Sequence, residues 1–198
     1  MKEQAKYLSS ESVEWYTPKY ILDMVVKVLG GIDLDPCANP DKTVPASMHY
    51  TEQDDGLNSP WKGRIFMNPP YGASNSKIWC NKFITERKKL NIIESIVLVG
   101  ANVDTGYFND YLSNCAVCCL VQRRIQFVSG GENPEAKQNT RPSAIFYFGN
   151  YPEIFANVFS NMGNIVELRW GYNDNHGQLA KEGINKLRNG IGINSLIS

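Results

Sequence analysis

The chain lacks an excess of charge of either sign: its 20 basic residues match its 20 acidic ones over 198 positions. Bulk electrostatics therefore draws it to no polyanion, and any contact with nucleic acid must come from a local patch. It also lacks a long apolar run. No stretch approaches the roughly 20 residues of a membrane span, and the polar start MKEQAKYLSSE has no signal-peptide core. These absences predict a soluble, cytoplasmic protein. There is no cysteine framework either. Cys37, Cys80, Cys115, Cys118 and Cys119 are odd in number and scattered, which fits reduced thiols. Cys115-x-x-Cys118 sits in the apolar stretch CAVCCLV without a second pair or a nearby His, so it reads as buried strand and not as a zinc site. No G-x-G-x-x-G follows a strand, which disfavours a dinucleotide-dependent oxidoreductase. Internal repeats and low-complexity tracts are absent.

What remains is an ordinary globular composition, 42% hydrophobic and 20% charged, at a length that suits one α/β domain. Ile21, Leu22, Val25, Val26 and Leu29 have helical spacing over residues 18–29. Thr17 reads as the N-cap, Pro18 as the first helical residue and Gly30-Gly31 as the stop. Strands are predicted at 32–35, 48–51, 64–67 and 95–100. A basic helix is expected over 76–90, with Ile78, Trp79, Phe83, Ile84 and Leu90 on its apolar side, and another around 104–113. CAVCCLVQ, RIQFV and SAIFYF supply later strands, with a polar loop over 129–142. Residues 152–161 read as a helix and 164–170 as a strand. Buried strands alternating with helices, then strands with short connections, predict an α/β fold with a mixed sheet. Residues 1–170 form its single domain, and 171–198 are a Gly/Asn-rich extension.

The most informative stretch is GRIFMNPPYG, residues 63–72. A hydrophobic strand delivers Asn68, Pro69, Pro70 and Tyr71 to its carboxyl end, where open α/β sheets bind ligands. Two prolines remove two backbone donors and fix φ at both positions. The turn is left rich in acceptors, the Asn68 amide oxygen and the Pro69 carbonyl, a pair suited to an NH2 group. Holding such a group orients its lone pair and stabilises charge that grows on nitrogen. Tyr71 offers a face for a planar ring. The competing structural reading is a rigid turn with a satisfied Asn.

This turn resembles the catalytic motif of amino-methyltransferases that act on adenine N6, cytosine N4 or glutamine amides. Glu14-Trp15-Tyr16-Thr17-Pro18 resembles the N-terminal cofactor-binding motif of adenine methyltransferases, and Asp33-Leu34-Asp35-Pro36-Cys37-Ala38 their first cofactor motif. Thr51-Glu52-Gln53-Asp54-Asp55-Gly56-Leu57 with Trp61, the strand IVLVG and the late RPSAIFYF resemble the phage-type DNA N-6-adenine methyltransferases. Together these cover roughly residues 13–148. The resemblance implies a Rossmann-like S-adenosylmethionine-dependent methyltransferase fold, in the host cytoplasm if phage-encoded. It implies a catalytic set Asn68, Pro69, Pro70 and Tyr71, a cofactor-binding set Trp15, Thr17, Asp35, Pro36 and Asp55, no metal, and double-stranded DNA as partner. The base would be turned out of the duplex and its amine would attack the sulfonium methyl in line. Taken singly, Asp35 and Asp55 also read as surface turn residues, and Trp15 and Trp61 as packing.

Two departures matter. Asn39-Pro40 stands where a Gly-rich loop is expected, and the interval from Asp35 to Asp55 is too short for a full βαβ unit, so the first half of the fold should be trimmed. No room exists for a separate recognition domain. DNA contacts are expected from the loop 73–77 with the basic helix after it (Lys77, Lys88), from Arg124, and from the loop 129–142 (Lys137, Asn139, Arg141). A cytosine-N4 or glutamine-amide methyltransferase and a catalytically silent nucleic-acid-binding protein are the competing functions.

Overall fold

The computed structural model describes residues 15–129, 136–138 and 141–167. In chain order the elements are β1 (Trp15–Tyr16), α1 (Lys19–Leu29), β2 (Ile32–Asp35), β3 (Ala46–His49), a 3-10 turn (Glu52–Asp54), β4 (Gly63–Met67), α2 (Ala73–Arg87), β5 (Ile92–Gly100), α3 (Gly106–Asn114), β6 (Val117–Val121), β7 (Gln126–Ser129), β8 (Ala136–Gln138), β9 (Ser143–Phe148), α4 (Pro152–Phe159) and β10 (Gly163–Glu167).

Seven strands form one sheet in the order β10-β6-β9-β5-β4-β2-β3. The half β3-β2-β4-β5 is parallel, whereas β9 runs antiparallel to both β5 and β6, and β10 antiparallel to β6. This is the expected mixed sheet. Its central strands are apolar on both faces because helices cover both. Phe66, Ile96, Leu98, Ile145 and Tyr147 face α1 and α4, while Ile65, Met67, Val97, Val99, Phe146 and Phe148 face α2 and α3. Cys115, Cys118 and Cys119 are fully buried free thiols within these layers.

The first half is trimmed as predicted. No helix joins β2 to β3, and only a single 3-10 turn lies between β3 and β4. The loops instead clamp each other: Tyr50 N–H donates to the Asp35 carbonyl at 2.9 Å and Ala38 N–H to the Tyr50 carbonyl at 2.8 Å. Trp61, wholly buried, donates its indole N–H to the Gly56 carbonyl at 2.8 Å and stacks on Trp79, so it is a core residue.

Several local expectations shift. α1 begins at Lys19 with Pro18 in the cap position, and Thr17 makes no capping bond. The predicted loop 73–77 is the opening of α2, which starts three residues earlier than the spacing indicated and ends at Arg87. Leu90 therefore falls beyond the helix with a φ of +64° and is 60% exposed, and Ile78 is 49% exposed. RIQFV leaves the main sheet: β7 pairs antiparallel with β1 and with β8, which occupies part of the predicted loop 129–142. The extension 171–198 lies outside the described residues.

Candidate active site

Because β2, β4 and β5 are parallel, their carboxyl ends bring Asp35, Asn68 and Gly100 to one edge of the sheet. The antiparallel β9 starts beside Gly100, and β6 ends beside that start. Loops 36–45, 68–72, 101–105 and 122–125 consequently share this edge, the ligand-binding edge of open α/β sheets. β4 stops there because Pro69 and Pro70 cannot donate to a ladder. Gly72, with a φ of +127°, turns the chain into α2, a conformation that residues with a Cβ adopt only under strain.

Asn68 is held from the N-terminal side of the fold. Its Nδ2 donates to Thr17 Oγ1 at 3.1 Å, across 51 residues of sequence. Its Oδ1 is buried and has no hydrogen-bond partner. A bare buried acceptor costs roughly 1–3 kcal/mol, which makes it a strong candidate to receive a donor from a ligand. Tyr71 follows two prolines later, half-buried, with its ring edge-on to Phe127 of β7. Burial pushes its phenol above the ordinary range, and its hydroxyl also lacks a partner.

Next to Asn68 lies a cavity of about 40 Å³ lined by Thr17, Asp35, Cys37, Asn39, Val44, Phe66 and Asn68. Asp35 is 3% exposed, and its side chain accepts from the Cys37 backbone N–H at 3.2 Å. Burial raises its carboxyl to about 7, only partly offset by that bond and by a second from the Cys37 thiol. Burial, reinforced by the Asp35 charge, holds the Cys37 thiol neutral. Asn39 is spent locally, bonding Thr43 through both ends of its amide. Among the described residues, no group of three or more His, Cys, Asp or Glu is placed to hold a metal.

A family model described as DNA N-6-adenine-methyltransferase (Dam) matches residues 4–168. The chain belongs to that family. Methylation of adenine N6 in DNA is the activity the family name carries, and the three-layer mixed α/β fold agrees with it. No curated protein matches the chain.

For a DNA N-6-adenine-methyltransferase the placement of the expected residues divides cleanly. Thr17, Asp35 and Asn68 converge on one cavity. Asp55 does not line it: it is exposed, has a φ of +47° and accepts from Asn58 Nδ2 at 2.7 Å. Pro36 continues from Asp35, and its carbonyl packs against Gly56. The side chains of Trp15 and Lys137, and all of Asn139, lie outside the described residues. Lys77, Arg124 and Arg141 are exposed on segments at the site edge. Lys88 is not brought there. It caps the far end of α2, about 22 Å of helix rise from the Asn68–Tyr71 turn. Its neighbours are committed there too, Lys89 to Glu86 at 2.7 Å and Arg87 over the Phe148 ring at 5.0 Å.

Cys37, Val44, Phe66 and Phe127 were not anticipated. Cys37 could have been found from its place two residues after Asp35. Phe127 carried no such signal, since a Phe in a short apolar strand looks like any core residue.

Proposed function

We propose that the chain transfers a methyl group from S-adenosylmethionine to the N6 amine of an adenine turned out of double-stranded DNA. The observation that carries this reading is the bare, buried Oδ1 of Asn68, with the other end of the amide already committed to Thr17. An adenine amine has two hydrogens; Asn68 Oδ1 accepts one and the Pro69 carbonyl the other. Both bonds strengthen as positive charge develops on nitrogen, which is the differential stabilisation that catalysis requires. Asn68 is neutral and serves as no general base, so the proton leaves to water. Tyr71 stacks on the extruded ring, and Pro69 and Pro70 hold the acceptors still.

Asp35 is the residue whose chemistry fits the cofactor. Its buried carboxyl accepts from the backbone N–H and the thiol of Cys37 and, among the described residues, from no cation, so it suits the cationic amino group of a methionine moiety. The cavity beside it is far smaller than the several hundred Å³ of a typical cofactor pocket. Only one end of the cofactor would be enclosed by it, with Thr17 and Asn68 at its wall. Bound S-adenosylmethionine supplies the electrophilic methyl group. Lys77, Arg124 and Arg141 form the DNA face.

The test is to treat unmethylated DNA with protein and labelled S-adenosylmethionine, digest to nucleosides and identify the labelled base. Label on N6-methyladenosine is expected. Label on N4-methylcytosine, on protein glutamine, or on nothing would overturn the reading. Asn68→Ala should remove methylation by at least about a hundredfold while calorimetry still detects cofactor binding.

A further inference from the structure

A base turned out of a duplex leaves a gap in the stack, and the base falls back unless something fills that gap. Apolar side chains suit the task, because they gain by leaving water and can part neighbouring bases. Such a wedge must be apolar and exposed, must stand beside the place that receives the base, and must be held stiffly enough to push. Val103 meets all three conditions. It is 64% exposed, the most exposed large apolar residue among those described. A lone exposed valine is ordinary on a protein surface, so its position decides. Leu90 and Ile93 are nearly as exposed but lie at the amino end of β5, away from the site.

Val103 stands three residues beyond Gly100, on the loop that leaves β5 at the ligand-binding edge. That loop runs beside Tyr71: a Cβ on Gly100 would lie 3.9 Å from Tyr71 Cε1 and 3.6 Å from Asn102 Nδ2. The loop backbone is tied down on every side of the valine. Ala101 N–H donates to the Pro142 carbonyl at 2.8 Å, and the Asn102 carbonyl accepts the Thr105 N–H at 3.0 Å and Thr105 Oγ1 at 2.7 Å. Asn109 Nδ2 donates to the Val103 carbonyl at 3.4 Å and to the Thr105 carbonyl at 2.9 Å. The Asn102 amide and the Tyr107 hydroxyl are 2.6 Å apart, a tie that holds whichever of them donates. Asp104, next to Val103 and exposed, has the wrong sign for a phosphate, so this loop is no phosphate clamp. Attraction to the backbone falls to the exposed cations Lys77, Arg124 and Arg141 on other segments of the same edge.

We propose that Val103 is a wedge that enters the DNA stack where the target adenine leaves it, holding the base out for methyl transfer. This rests on the methylation reading given above. The wedge acts on the cost of extrusion, so its worth depends on how firmly the duplex holds the base.

The test uses a synthetic duplex carrying a site that the wild-type protein methylates in genomic DNA. It is made in two forms, with the target adenine opposite thymine or opposite an abasic position, where no pair holds the base in and extrusion is cheaper. Single-turnover rates are measured with saturating protein and S-adenosylmethionine. Val103→Ala should be slower than wild type by about fivefold or more on the paired duplex, and within about twofold of wild type on the unpaired one. Val103→Ile, which keeps a branched apolar side chain, should stay within about threefold of wild type on both. A full-rate Val103→Ala on the paired duplex would overturn the proposal. So would an equal loss on the two duplexes, which would mark an effect on folding, binding or the cofactor, and so would a Val103→Ile as slow as the alanine variant. A wild-type protein that methylates no DNA overturns the methylation reading and the wedge with it, whereas an active wild type with an unaffected Val103→Ala overturns the wedge alone.

Discussion

Tyr71 meets Phe127 edge to face, their ring centroids 6.0 Å apart and their planes at 78°. The contact joins the Asn68–Tyr71 turn after β4 to the small sheet of β1, β7 and β8, two parts of the chain that share no strand pairing. Phe127 is 1% exposed, so the aromatic that would receive the base leans on the core.

The Tyr71 hydroxyl is buried without a partner, so its removal relieves an unmet polar group. Tyr71→Phe should leave the melting temperature unchanged or raised, and methylation within a few-fold of wild type. Tyr71→Ala removes the stacking face, worth about 1–3 kcal/mol per base, and methylation should drop by about tenfold or more. Calorimetric melting and initial rates on DNA check both.

Asp35 has a carboxyl raised from 3.8 to about 7 by burial. The folded protein thus holds this proton where the unfolded chain has lost it, and stability from this group falls as pH rises through that interval, by up to about 1.4 kcal/mol per pH unit. Asp35→Asn should flatten the difference. Glu94, also raised by burial, shifts alike in both proteins, so denaturation curves of the pair at several pH values isolate Asp35. Cofactor affinity should run the other way, rising towards and above pH 7 as the carboxylate forms, and it should be weak and flat in the variant.

A Cβ on Gly56 would sit 1.9 Å from the Pro36 carbonyl oxygen. Gly56→Ala must push the 51–57 loop off the Asp35–Ala38 turn, and the Trp61 indole would lose its fit to the Gly56 carbonyl. A loss of about 3 kcal/mol or more is expected by urea denaturation. Ordinary stability in that variant would show the two loops to be less tightly packed than the structure requires.

Arg124→Ala and Lys77→Ala should each weaken DNA binding at every sequence and reduce the magnitude of the salt slope by about one. Lys88→Ala, at the opposite end of α2, should change neither. Fluorescence anisotropy across a salt series distinguishes them, and an equal effect from Lys88 would place the DNA face elsewhere.

Much of this architecture was legible in the residues. Ile32–Asp35 and Ser143–Phe148 emerged as strands with their expected bounds, because runs of apolar residues bounded by turn signals leave few alternatives. The Asn68–Tyr71 turn was equally legible, since two prolines after a buried strand dictate local geometry by themselves. Helix α2 was shifted because its apolar spacing is weak: Ile78 points to solvent, and the buried Glu86, bonded to Trp61 N–H, Lys82 and Lys89, sits on the packed side. Periodicity cannot reveal a carboxylate that is inside because it is paired.

The sequence by itself determined the local chemistry: an acceptor-rich turn at a strand end, an acidic residue closing β2, a mixed α/β order and a shortened first half. These are decided by neighbours a few residues apart. Tertiary structure alone decided which residues share the site. It brought Thr17 to Asn68 and Phe127 to Tyr71, and it set Lys88 at the end of α2 opposite that turn. The reason is the sheet, whose strand directions set which loops meet at one edge, a property of pairing between distant segments. The turn read from four residues is tied to a threonine 51 positions away.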